Sequence, residues 1–146
     1  MGAIEFVVGH FLSAFLFYLN HRFVFHSKLG KHKIFKGWRR YHVLHHKYDY
    51  TANWRKYILI PWWGWLSFAL LATVIGLMTT VYFAVGMLSH VILYEITHYR
   101  IHMNPKKSQL AKYHYHHHRH NFKANHVAYW TSIDRIFGSK EDYKGK

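Results

Sequence analysis

Four short clusters carry ten histidines at spacings that suit metal ligation. They are His21 and His26 in "HRFVFH", His42, His45 and His46 in "HVLHH", His98 and His102 in "HYRIH", and His114, His117 and His118 in "HYHHH". At about 100° per residue, His42, His45 and His46 fall within one arc of about 100° on a helix, and the fourth cluster repeats that arrangement. His98 and His102 stand one turn apart on a shared face. His21 and His26 are five apart and diverge by about 140° on an ideal helix, so they need a local distortion or must reach the site from two directions. His116 points nearly opposite its neighbours; with His32, His120 and His126 it reads as interfacial, not as a ligand. Ten imidazoles give five ligands to each of two metals and leave a sixth octahedral position open for a small molecule such as dioxygen. Imidazole suits iron, zinc, copper and nickel alike, so the donor type does not name the metal. Soluble di-iron bundles use several glutamates, and the 6 Asp plus Glu of this chain are too few for that shell.

The elements that must position these clusters follow from hydropathy and charge. Residues 2–20 are mostly apolar and, at about 1.5 Å per residue, span roughly 30 Å as a helix, enough for one crossing of a bilayer. Residues 57–96 carry a single charge, Glu95, near their end. Forty residues would run to about 60 Å, which fits two crossings joined by a turn near Gly76 to Thr80. The "PWWGW" run from Pro61 to Trp65 reads as an interfacial aromatic belt. Of 146 residues, 20 are Lys or Arg and the formal net charge is +14, yet no basic residue lies between Tyr57 and Tyr99. Three crossings put every basic residue on one side, which the positive-inside rule makes cytoplasmic, with the short N-terminus external. Basic loops would hold to anionic headgroups, so the charge does not call for a nucleic-acid partner. Cysteine is absent, and the N-terminus lacks the basic start and small-residue cleavage site of a secretory signal. The expected architecture is a single domain over 1–146: an all-α integral membrane protein of about three transmembrane helices with a cytoplasmic, helical, histidine-rich cap.

In this order, the boxes H-x4-H, H-x2-HH, H-x3-H and H-x2-HH resemble the fatty acid hydroxylase/sterol desaturase superfamily of membrane di-iron enzymes. The likeness is nearest to the fatty acid 2-hydroxylase branch. "YEITHYRIH" resembles its acid-x-x-His-x3-His segment, "KYHYHHHRHN" its KYH-x2-HH stretch, and "WTSIDRIFGS" its closing element through Asp134, Phe137 and Gly138. The resemblance covers His21 to Gly138. It implies an oxygen-dependent hydroxylation at an unactivated C–H bond of a lipid chain, fatty acyl or sterol-like, with two irons held by the ten histidines. Dioxygen is the co-substrate, and zinc can replace iron in preparations. An external electron donor is implied, either cytochrome b5-like, a ferredoxin or a reductase. Desaturation or carotenoid-type hydroxylation on the same site is the alternative outcome. A zinc-binding or metal-transporting membrane protein is the alternative of a different class.

Three residues beside the boxes stand out. Glu95 precedes His98 by three and His102 by seven, within one helical sector, and is expected to orient a ligand histidine through its distal N–H or to pair with Arg100. His10, three turns before His21 on nearly the same face, and His90 are candidates to line a substrate channel; structural polar contacts are the alternative for both.

Overall fold

The computed structural model describes residues 1–49, 51, 55–105 and 107–143. Its helices are α1 (Gly2–Leu19), α2 (Lys36–Tyr48), α3 (Arg55–Ile58), α4 (Trp62–Met78), α5 (Val81–Met103), α6 (Gln109–Arg119) and α7 (Ser132–Ile136). No strand occurs among the described residues. A π-helical turn, Asn20–Phe25, continues α1, and a 3₁₀ turn follows at Lys28–Lys31.

Helices α1, α4 and α5 form an up-down-up set. The turn expected between Gly76 and Thr80 falls at Thr79 and Thr80, where the Thr80 hydroxyl caps α5 by accepting from Phe83 N at 3.2 Å. The same hydroxyl donates to Glu5 Oε2 at 3.0 Å, so this turn lies beside the N-terminus of α1. The C-terminal end of α1, the start of α4 and the end of α5 therefore share the opposite end, where all the boxes are. Helices α1 and α5 cross closely because glycine faces backbone in both directions. A Cβ on Gly9 would stand 2.2 Å from the Phe83 carbonyl oxygen, and one on Gly86 would stand 2.1 Å from that of Phe6. Only glycine admits such an approach, the usual device where apolar helices pack without a hydrophobic drive of their own.

Apolar side chains cover the outside of this set: Leu12 and Leu16 on α1, Leu70 and Val74 on α4, and Val85 and Ile92 on α5 are all exposed. By length and composition, the stretches Gly2–Phe25 and Arg55–Met78 could cross a membrane. Only 22% and 17% of their apolar windows are buried, unlike the core helices of a soluble bundle. Three such stretches were expected and two meet the criterion. At 23 residues α5 is long enough, but Ser89, His90, Glu95 and His98 dilute its hydropathy. Those polar residues turn inward, and His90, Glu95 and His98 are buried.

At the box-bearing end, α2 lies against the start of α4 through Trp38 and Trp63, whose ring centroids are 4.6 Å apart. Tyr41 of α2 donates to the Leu59 carbonyl at 2.8 Å. The segment after α6 returns along α1, with Trp130 against Phe11 and Phe137 against Phe15 and Tyr18. Asp134 anchors it by accepting from His126 N, Val127 N and Ser139 Oγ.

Candidate metal centre

The first box is shaped by the π turn. In an α-helix His21 and His26 would diverge, but here His26 N donates to the His21 carbonyl at 3.3 Å, an i to i+5 bond that widens the turn. The two rings come to lie 30° from parallel with their Nε2 atoms 3.1 Å apart. Single-turn π insertions in helices are frequent at functional sites. From this pair the Nε2 atoms run on: His26 to His42 at 2.9 Å, His42 to His46 at 2.9 Å, and His21 to His117 at 3.1 Å. These five form one group.

The second group is His45, His98, His102, His114 and His118. Its Nε2 atoms meet at 2.9 Å between His102 and His114 and at 3.0 Å between His114 and His118. Each three-histidine box therefore divides. The i, i+4 pairs His42/His46 and His114/His118 clasp one group each, and the intervening His45 and His117 cross to the other. His46 and His118 stack across the divide, centroids 4.0 Å apart and planes 19° from parallel.

These distances test whether metal ions fit. Metal–imidazole bonds of about 2.0–2.1 Å place ligands at right angles about 2.9 Å apart, and tetrahedral ligands about 3.4 Å apart. The observed contacts of 2.9 to 3.1 Å match octahedral edges. Five donors on such a frame leave one vertex for another molecule. His45 Nε2 is buried with no hydrogen-bond partner among the described residues, as an atom reserved for a metal would be.

Burial keeps the donors in the neutral, ligating form. It pushes the His26 imidazole down to about 4 and, with neighbouring histidines adding to it, His46 to about 2. Burial first and adjacent imidazoles second also lower His42, His45, His114, His117 and His118 well below the ordinary histidine value.

The rings are oriented from behind. His117 Nδ1 lies 2.7 Å from the Ala124 carbonyl, which fixes its proton there and frees Nε2. Asp49 divides its carboxylate between two histidines of the second group, Oδ1 to His102 Nδ1 at 2.8 Å and Oδ2 to His118 Nδ1 at 2.9 Å. It is 2% exposed, and Arg119 donates to its carbonyl at 2.9 Å. No motif or spacing in the sequence singles out Asp49. Its local signal is one of only six acids placed one helical turn after His46, but its partners come from α5 and α6.

Among the described residues Glu95 makes no hydrogen bond or ion pair with a boxed histidine or with Arg100. Its Oε2 accepts from Ile60 N at 2.9 Å, and Oε1 is buried with no partner there. It lines an apolar cavity walled by Phe17, Trp38, Tyr41, Phe68 and Tyr94 and by His42, His45 and His98. That cavity touches histidines of both groups. His10 and His90 lie away from it, in polar contacts between helices. His10 bridges Ser89 Oγ at 2.8 Å and the Tyr129 hydroxyl at 2.9 Å, and His90 meets Ser13 Oγ at 3.0 Å. His90 also lines a smaller cavity with His21, Tyr94 and His126.

His116 turns to Glu141 at 3.0 Å, away from both groups, and His32 and His120 are exposed. His126 differs from expectation: it is 2% exposed, not interfacial, with its ring 5.4 Å from those of His21 and His117. Asn125, held at φ 54° in the left-handed region, turns the chain inward there. No local spacing announces that turn.

The whole fold has a counterpart. A solved structure of full-length Scs7p, in which only the hydroxylase domain is visible, superposes with a TM-score of 0.76 at 22% identity. The match takes in 99% of this chain and 58% of that one, so the present chain spans rather more than half the length of the solved chain. At that identity the likeness is one of fold. No curated protein matches the chain. The fatty acid hydroxylase family matches over residues 6–139, a range that contains all ten clustered histidines, Asp49 and Glu95, and to that family the chain belongs.

Proposed function

We propose that the chain is an integral-membrane, oxygen-dependent lipid hydroxylase that uses two iron ions. The observation that carries this reading is the shared wall. An apolar cavity opens onto His42 of one five-imidazole group and onto His45 and His98 of the other. His21, His26, His42, His46 and His117 would hold one ion, and His45, His98, His102, His114 and His118 the second. When bound, the pair supplies dioxygen activation and the oxidising power to take hydrogen from an unactivated C–H bond.

The rest of the chemistry belongs to the chain. Aromatic walls strip water from an acyl segment and align it, so that one carbon faces the ligand rings. Glu95 holds the Ile60 backbone and thereby fixes the 57–61 wall of the cavity against α5. Asp49 and the Ala124 carbonyl keep ligand rings aimed. His10 and His90 tie α1 to α5 through Ser89 and Ser13. In this reading α1, α4 and α5 are three crossings, the cap is cytoplasmic and the N-terminus external, because the basic residues gather at the cap end. Electrons come from a separate donor protein.

Protein purified without oxygen in detergent, loaded with iron and supplied with reductant, dioxygen and a lipid extract tests this. Oxygen uptake with a lipid product one oxygen atom heavier is expected. A product lacking two hydrogens instead would make it a desaturase. Two tightly held zinc ions, with no turnover from any donor after iron exchange, would refute the enzyme reading.

A further inference from the structure

A second concavity lies at the cap and shares Phe25 and His42 with the apolar cavity. Its floor is formed by His26, His42 and His46, and its walls by Phe25, Val43 and Phe122 with Arg39, Lys47 and Lys123. His26 and His46 are only half-buried, whereas all five histidines of the second group are buried. Phe122, 52% exposed, stacks on His26 with ring planes 6° from parallel and meets His46 edge-on at 5.0 Å. Val43, 44% exposed, adds a second apolar contact. Arg39, Lys47 and Lys123 have no carboxylate partner among the described residues. The groove thus has a small apolar centre, an unpaired cationic rim, and ligand rings directly beneath.

We infer that this groove is the docking site of an acidic one-electron carrier protein, and that electrons enter the metal pair through the first histidine group. The inference rests on the hydroxylase reading above. Each turnover, R–H + O2 + 2 e⁻ + 2 H⁺ → R–OH + H2O, breaks a C–H bond, forms a C–O bond and releases the second oxygen atom as water. Its two electrons come one at a time from two reduced carriers, each of which is oxidised. Carboxylates around the carrier's redox group would complement the rim, steer encounter and set orientation. A small, transient contact is what such exchange requires. An anionic headgroup could also meet three cations, but it would have no use for ligand rings in the floor.

The test follows the anaerobic oxidation of reduced carriers by the iron-loaded full chain in detergent. Two acidic probes, a [2Fe–2S] protein and a haem protein, are compared with a basic haem protein of similar potential. Both acidic carriers should outpace the basic one by at least tenfold at low salt and lose that advantage as salt rises. The Arg39→Glu/Lys47→Glu/Lys123→Glu variant should react at least tenfold more slowly with the acidic carriers, while its reduction by dithionite and its metal content stay unchanged. The milder Lys47→Gln/Lys123→Gln pair serves if the triple variant fails to load metal, with a loss of about threefold expected.

The control Lys56→Glu/Lys107→Glu/Lys112→Glu carries the same charge change away from the groove and should keep the rate within twofold. An equal loss in that control, an unchanged rate in the groove variants, or a basic carrier that serves as well as the acidic ones would overturn the docking site. So would groove variants that lose only binding to anionic vesicles. If the wild-type protein holds two metals yet takes no electrons even from dithionite, the hydroxylase reading itself fails.

Discussion

A carboxylate that gives one oxygen to each of two imidazoles fixes both rings at once. Asp49 does this for His102 and His118, which belong to different helices. Asp49→Asn keeps the shape but loses one acceptor oxygen, so one ring must give up its partner. Such supports typically contribute about 10–100-fold in metal affinity. Competition with a chelator should show one of two bound metals weakened by about that factor and the other unchanged. His117 and His116 are neighbours with opposite fates. His117→Ala should cost the first metal and all metal-dependent turnover, whereas His116→Ala should leave metal stoichiometry intact. Metal analysis of both variants checks this, and equal losses would contradict the assignment.

Protonation gives a third residue-level expectation, for the metal-free protein. Burial holds His26 and His126 down to about 4, against about 6.5 in the unfolded chain. Between those values the unfolded state binds protons that the folded state refuses, so stability falls as pH drops from about 6.5 to 4. Above that window these groups contribute no slope. Thermal unfolding of chelator-treated protein across this range measures it.

Helices explain why part of the site was legible in sequence and part was not. Regular phase places His42 with His46, His98 with His102, and His114 with His118, and each pair does share a group. Phase also separates His116 from its neighbours. It cannot say which group His45 and His117 join, because a shared face fixes direction but not depth, and depth depends on how α2 and α6 approach each other. The i, i+5 spacing of His21 and His26 leaves open a local distortion or an approach from two directions; the π turn decides for the distortion. Asp49 escaped because its partners lie on α5 and α6, while Glu95 drew notice by proximity in sequence and bonds elsewhere. The α1–α5 crossing was equally silent. Gly86→Val should drive a side chain into the Phe6 carbonyl and destabilise the protein by about 1–3 kcal/mol or more. A lower unfolding temperature in detergent, with less bound metal because the boxes separate, is the expected outcome.

At the scale of the molecule, charge and hydropathy marked the two ends correctly, with the helix turn and N-terminus at one and every box at the other. The absence of cysteine makes membrane orientation directly measurable. Under the proposed topology, single cysteines at Thr79 and Lys33 should differ in sealed vesicles of known orientation. A membrane-impermeant thiol reagent should label the first from the outer face and the second only after permeabilisation; the reverse pattern would invert the topology. The unequal burial of the two histidine groups also bears on the history of any sample. Half-buried His26 and His46 leave the first group open to solvent, while the second is enclosed. Metal exchange should then be biphasic, with one ion replaced quickly by whatever the medium offers and the other retained from biosynthesis. Two preparations of the same protein would differ in only one of their metals, and that one would record the last buffer rather than the cell.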